Sequence, residues 1–438
     1  MESTLPSTER LLGEFLRMDP HTRDGQIRAA HRVLEYVEQC NLGTAELLEF
    51  PVNTNEGIVQ YPLVKIESTF GVEVSDRTDM TWLGHMDTVP LTRQQKRKDP
   101  LELETISNNE KSRTIGKGRG TLDMWGGNIA MLEALQLLSN NGGARLRVHT
   151  VLSSREEAGS EVLFQAIKQN AIPRSPVGAT TEILVGDAGK PSPMYIGRTG
   201  RIGIDATFRH LKRKDEGNDE DSLHLGALDR YPERIDRMAA RYHARAIDEL
   251  LDAERGFKLT GQYPGDSLGI FPQYARAIPM DLAGTANGLS AVDEIHQKFA
   301  VFHIDPNTAP ESVRALLLEY LVQKANIPAE CIELRLEDRN LPDGDKIPFT
   351  EPYMTPPDHP FACAGQKYAS QLRKSDVPMV AASGVAEDGM IFHQLGTKMI
   401  GWSPDGGGAH GEEWVDIQSI GERAAWLAKL AQYDGDLS

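Results

Sequence analysis

From about residue 80 to residue 187, strand-like and helix-like runs alternate, and each strand-like run ends on an acidic or histidine residue. DMTWLG runs into His85, ARLRVHTVLSS leads to Glu156, and TEILVG ends at Asp187. Between them, NIAMLEALQLL and EVLFQAIKQN place apolar residues at helical spacing. Such β–α–β alternation predicts an α/β fold, a mostly parallel open sheet with helices on both faces. In open sheets of this kind ligands bind beyond the carboxyl ends of the strands. The chemically capable residues fall at those ends.

Helical periodicity also marks residues 7–39 at the start and IQSIGERAAWLAKLAQY at the end. The texture changes near Ile196. RIGIDATFRHLKR reads as a strand, KRKDEGNDEDS as a solvated loop, and residues 232–251 as a long helix. KFAVFHID is a further strand, ESVRALLLEYLVQKA a further helix, and a proline-rich connector begins at NLPDGDKIP. A domain inserted over residues 197–341 fits this pattern. Residues 1–196 and 342–438 would then form the two parts of one catalytic domain.

With 438 residues, two domains are the default expectation. The formal charge of −17 lacks the basic footprint of a nucleic-acid-binding protein. Cys40, Cys331 and Cys363 are too few and too scattered for a disulfide framework. No apolar run is long enough to span a bilayer, and the N-terminus lacks the basic start and apolar run of a signal peptide. A cytoplasmic protein without nucleic-acid or membrane partners is expected.

The candidate residues supply two imidazoles and several carboxylates, the inventory of a two-metal hydrolytic site. His85 suits a metal ligand, with Asp87 behind it holding the tautomer. Asp123, in GRGTLDMWGG, can bridge two ions, although aspartate at a helix entry is also an ordinary N-cap. Glu156 and Glu157 are adjacent carboxylates, costly to bury without a cation. One can bind metal while the other serves as general base. Asp187 suits a terminal ligand, and His410 follows a glycine run that lets its loop reach a site.

In that order, GHMDTVP, GRGTLDMWGG, SSREEAGS, VGDAG and GGAHGEEWV resemble the motifs of the co-catalytic dizinc metallopeptidases. That family includes peptidase T, carnosinase-type dipeptidases, glutamate carboxypeptidase, aminoacylases, acetylornithine deacetylase and succinyl-diaminopimelate desuccinylase. The resemblance implies that the insertion is an α+β lid and dimerisation domain, and that the chain pairs with a second copy through it. It implies two divalent ions, most commonly Zn2+, with Mn2+ or Co2+ compatible with the same donors. His85 and Asp187 would bind one ion, Glu157 and His410 the other, and Asp123 would bridge them. Asp87 would orient His85, and Glu156 would be the general base. A lid histidine, His224 with His210 as runner-up, would support the oxyanion.

The implied activity is hydrolysis of amide bonds in small peptides, of the aminopeptidase or dipeptidase kind. The alternative is an N-acyl-amino-acid deacylase of the aminoacylase or acetylornithine deacetylase type. Family members with aspartate at the position assigned to Asp187 are mostly aminopeptidases and dipeptidases; those with glutamate are mostly carboxypeptidases and deacylases. Two positions depart from the pattern. Trp125 stands where the family commonly has lysine, so a bulky ring is expected to reshape the pocket near Asp123. Asn307 stands where the family's lid often carries a carboxylate-binding arginine, and it cannot make a bidentate charged contact. Arg198, Arg201 and Arg339 are the candidate substitutes.

Overall fold

The computed structural model describes residues 7–70, 79–91, 99–108, 113–141, 147–182, 192–209, 276–286, 292–324, 329–382, 395–409 and 411–433. It divides into two compact units. The first comprises Met1–Arg198, Asn340–Ile347 and Tyr353–Ser438; the second comprises Thr199–Arg339 and Pro348–Pro352.

The first unit opens with α1 (Thr8–Arg17) and α2 (Arg23–Cys40). Ser7 and Thr22 cap them by accepting backbone N–H groups, and Asn41 closes α2 in the left-handed region. A long antiparallel hairpin follows, β1 (Thr44–Thr54) and β2 (Gly57–Ser68). Next come β3 (Asp79–His85), β4 (Glu104–Asn108), β5 (Arg113–Lys117), α3 (Gly126–Asn140), β6 (Arg147–Ser153), α4 (Glu161–Lys168), β7 (Val177–Thr180) and β8 (Met194–Arg198).

The second unit holds β9 (Gly200–Arg209), β10 (Arg276–Ala286), β11 (Val292–His303), α5 (Pro310–Lys324) and β12 (Ile332–Leu336). Its four strands pair antiparallel in the order β10-β11-β9-β12. Ile202, Ile204 and Phe208 project to one face at period two, and Val313, Leu317 and Leu321 of α5 bury against them.

The chain returns to the first unit through β13 (Tyr353–Met354), α6 (Pro360–Arg373), β14 (Met379–Ala382), β15 (Lys398–Gly401), β16 (Gly406–Gly407), β17 (Trp414–Asp416) and α7 (Ile417–Ala431). Among the described residues the main sheet has nine strands, in the order β1-β2-β6-β3-β7-β15-β8-β13 with β14 also on β8. The α/β expectation holds, and parallel pairing is concentrated at the centre, where β6, β3, β7 and β15 run together. The hairpin β1–β2 flanks this centre antiparallel, as does β8 beside β15. The central strands are buried along nearly their whole length, as strands covered on both faces must be. A smaller antiparallel sheet, β16-β17-β5-β4, joins the β4–β5 pair, which follows β3, to the β16–β17 pair, which precedes α7.

The strand expected over TEILVG falls largely outside the described residues. The strand described just before it is Val177–Thr180, followed by Thr181 and Glu182. Pairing decides this, because Leu83 of β3 is opposite Thr180 and Lys398–Gly401 of β15 are opposite Val177–Thr180. The helix expected over residues 232–251 lies outside the described residues. No helix among those described is long and apolar enough to cross a membrane.

Candidate functional site

His85 ends β3 and is buried, 1% exposed. Its backbone is held on both sides: the Asn128 side-chain amide donates to the His85 carbonyl at 2.6 Å, and Met86 N donates to Ser153 O at 2.7 Å. Its Nδ1 lies 2.9 Å from the Asp87 carbonyl oxygen and 3.5 Å from the Asp87 carboxylate. Its Nε2 faces the Asp123 carboxylate at 3.1 Å and that of Glu156 at 3.9 Å. Burial alone would lower the pKa of this imidazole. Hydrogen bonds to Asp123 and Asp87, with the charge of Glu156, raise it well above the ordinary value.

Asp87 has a second task that its spacing does not reveal. Its two carboxylate oxygens accept the backbone N–H groups of Glu156 and Glu157, each at 3.2 Å. These open a short 3-10 turn entered through Arg155 at φ 68°. Asp87 therefore fixes the turn that carries the adjacent carboxylates, and Glu156 is buried there while Glu157 is half-buried.

The third strand end brings up a residue that motif reading missed. Glu182 stands two positions past β7 and is buried, 4% exposed. Carboxylate oxygens of Glu156 and Glu182 and a ring nitrogen of His85 all lie within 4.8 Å of one another. Glu182 is steadied by its own N–H to Thr180 Oγ1 at 3.0 Å, and its carbonyl accepts the Tyr195 hydroxyl at 3.0 Å. The buried Arg198 guanidinium approaches its carboxylate at 3.8 Å and stacks over the Tyr195 ring at 4.5 Å. The available signal was positional: Glu182 ends the VGATT run at the level where His85 ends β3.

Asp123, 6% exposed, sits in a buried turn, Thr121–Trp125, ahead of α3. The turn is gripped by Glu413, whose carboxylate accepts Gly120 N at 2.8 Å and Asp123 N at 3.4 Å and pairs with Arg119 at 2.5 Å. Burial and the nearby Asp123 carboxylate push Glu413 up to about 7, against the pull of Arg119. Glu413 is the second residue of an adjacent glutamate pair, the same signal that drew attention to Glu156 and Glu157.

The Trp125 ring is fully buried and stacks on Phe15 of α1, with centroids 4.0 Å apart and planes 11° from parallel. An indole cannot make the polar contacts of lysine, and this one lies against the apolar side of α1.

Of the candidate carboxylate-binding arginines, Arg198 is 1% exposed and turned onto Tyr195 and Glu182. Arg201 lies 3.6 Å from Glu337, and Arg339 donates to the Pro348 carbonyl at 3.4 Å. Asn307 folds back on Asp305 through its backbone N–H and side-chain amide, at 2.8 and 3.2 Å. Asp187, His410, His224 and His210 lie outside the described residues.

The donor set fits divalent metal. Asp123, Glu156 and Glu182 gather buried carboxylates around one imidazole, a charge balance that cations correct.

No curated protein matches the chain significantly. Among solved structures, the fold is similar to that of the Saccharomyces cerevisiae di-peptidase Dug1p, at 17% identity and TM-score 0.67, covering 97% of this chain and 95% of that one. It is also similar to human carnosine dipeptidase 1, at 14% identity and TM-score 0.66, covering 97% of each chain. The Bacillus subtilis YXEP protein, a dinuclear metal binding peptidase, matches at 12% identity and TM-score 0.52, covering 96% of this chain and 97% of that one. The sequence profile of Peptidase family M20/M25/M40 matches residues 82–433, from the strand that ends on His85 to the close of the last helix. The chain therefore belongs to peptidase family M20/M25/M40 and is a hydrolase of amide bonds.

Proposed function

We propose that this protein hydrolyses amide bonds in small peptides with the help of two divalent metal ions. The observation that carries the reading is the buried cluster of His85, Glu156 and Glu182 at the ends of neighbouring parallel strands, with Asp123 on His85. His85 and Glu182 would hold one ion, Glu157 and His410 the other, and Asp123 would bridge. Among the described residues Glu182 is the carboxylate beside His85 at this strand end, which makes it a candidate for that place alongside Asp187.

When bound, the ions polarise the scissile carbonyl and make a water acidic enough to lose its proton near neutral pH. Glu156 accepts that proton and passes it to the leaving nitrogen. Burial of Glu156, and the two N–H contacts by which Asp87 holds its turn, keep this carboxylate in one place through both transfers. The oxyanion donor is assigned to His224, with His210 as runner-up.

Glu182 also supports a second reading. With glutamate in that place, the family habit favours carboxypeptidases and N-acyl-amino-acid deacylases. One experiment separates the two. Zn2+-loaded protein is given free dipeptides and their N-acetylated counterparts, with a chelator control. Faster chelator-sensitive cleavage of the free set supports the peptidase. Preference for the acetylated set replaces it with the deacylase, and chelator-resistant turnover removes the metal reading. Metal content of Glu182→Ala and Asp187→Ala decides the ligand: the variant that loses an ion identifies it.

A further inference from the structure

Arg119 and Glu413 form a buried ion pair that the proposed chemistry does not use. Their side chains are 0% and 1% exposed. Burying such a pair costs desolvation on both sides, and apolar residues of similar volume often serve stability as well or better. The pair's placement offers a reason for keeping it.

Among the described residues, the polar contacts of Glu413 go to one segment. Oε1 takes Arg119 Nη1 at 2.5 Å, Oε2 takes the N–H groups of Gly120 and Asp123, and its carbonyl takes Gly118 N at 3.2 Å. Beside it, Trp414 and Val415 pair with Lys117 and Gly116 as β17 runs against β5. The segment has little freedom to find this course otherwise. Gly120 sits at φ +82°, and a Cβ there would lie 2.7 Å from Thr88. Four polar contacts thus tie a residue three positions after His410 to the turn that carries Asp123. These are two proposed ligands far apart in sequence.

We propose that Glu413, with Arg119, is a positioning residue for the metal centre, holding the Asp123 turn to the stretch of chain just after His410 and thereby setting ion affinity. Neither residue is a ligand. The proposal rests on the two-metal reading above.

The test is calorimetric titration of Zn2+ into chelator-stripped protein, for the wild type, Glu413→Gln and the double variant Arg119→Met/Glu413→Gln. Glutamine keeps one acceptor oxygen but presents an amide where a second acceptor is needed. The double variant also removes the guanidinium that the single one would strand. The expected result is two ions in the wild type and affinity for one of them lower by roughly 10–100-fold in both variants, the usual size of an outer-shell effect. At limiting Zn2+ kcat should fall with KM little changed, and excess Zn2+ should restore part of kcat. If the single variant fails to fold, the double variant decides. A folded double variant with wild-type affinities and kcat overturns the proposal and leaves the metal reading intact. A wild type that takes up no ion overturns both.

Discussion

The stack of Phe15 on Trp125 permits a sharp test of what the tryptophan does beside the proposed bridging aspartate. Both rings are fully buried, nearly parallel and 4.0 Å apart. The Trp125 indole N–H has no hydrogen-bond partner, so truncation removes apolar contact and no polar one. Phe15→Ala and Trp125→Ala should each cost about 3–5 kcal/mol of stability, as buried aromatic truncations do. The double variant should cost less than the sum by about 0.5–1.5 kcal/mol, the part of the interaction beyond buried area. Urea unfolding followed by far-ultraviolet circular dichroism reads all four proteins, and amide hydrolysis under native conditions reads the site. Because the ring faces α1, the folded Trp125→Ala protein should keep its Zn2+ content and most of its kcat. Strict additivity would deny the coupling. Lost metal or turnover without lost stability would show that the ring shapes the site after all.

Three other perturbations have defined outcomes. Asp405 accepts Arg373 at 2.5 Å and the fully buried Arg423 at 2.8 Å. Asp405→Ala should therefore cost about 3–5 kcal/mol by stranding guanidinium charge, and a urea-measured loss below about 1 kcal/mol would contradict that. Asp87→Asn puts one amide NH2 against a turn N–H, and kcat should drop roughly 10–100-fold with the fold retained; a wild-type kcat would remove Asp87 from that role. Burial lowers the pKa of His303, whose ring nitrogens face the carbonyls of Asp305 and Thr350, below its ordinary 6.5. The unfolded chain then binds the proton more readily, so this contribution to stability is complete above pH 6.5 and is lost as pH falls through 6.5 toward the folded value. His303→Gln should flatten the acid limb of stability against pH, and an unchanged limb would refute the assignment.

The strand ends were legible because parallel α/β sheets confine their chemistry there, and His85 and Glu156 stand at such ends. The terminal helices were legible from their apolar spacing. The β1–β2 hairpin was not. Pro51 and Pro62 lie inside its strands, where proline normally argues against a strand. Pro51 lies on β1, the edge of the sheet, where a missing N–H is tolerated, and the carbonyls of Pro51 and Pro62 take side-chain donors from Gln165 and Ser154. Glu182 was obscured by the apolar run that follows it, and its place beside His85 emerges only from the cross-strand register of Val177–Thr180. The Arg119–Glu413 pair spans 294 positions, so no local pattern could have joined it.

The position of β15 constrains the order in which this protein can acquire its structure during synthesis. It lies between β7 and β8, strands made some two hundred residues before it. Among the described residues, the strands that pair with β8 belong to the segment from β13 onward. The described strands of the inserted unit lie within Gly200–Leu336 and can pair as soon as that stretch has emerged. The emerging chain thus offers a finished module flanked by an unfinished one. Until Lys398–Gly401 is delivered, β7 has an unpaired edge of the kind that recruits other chains. Delivery of Lys398–Gly401 then closes the main sheet, and a chain stopped short of it is a substrate for chaperones before it can be an enzyme.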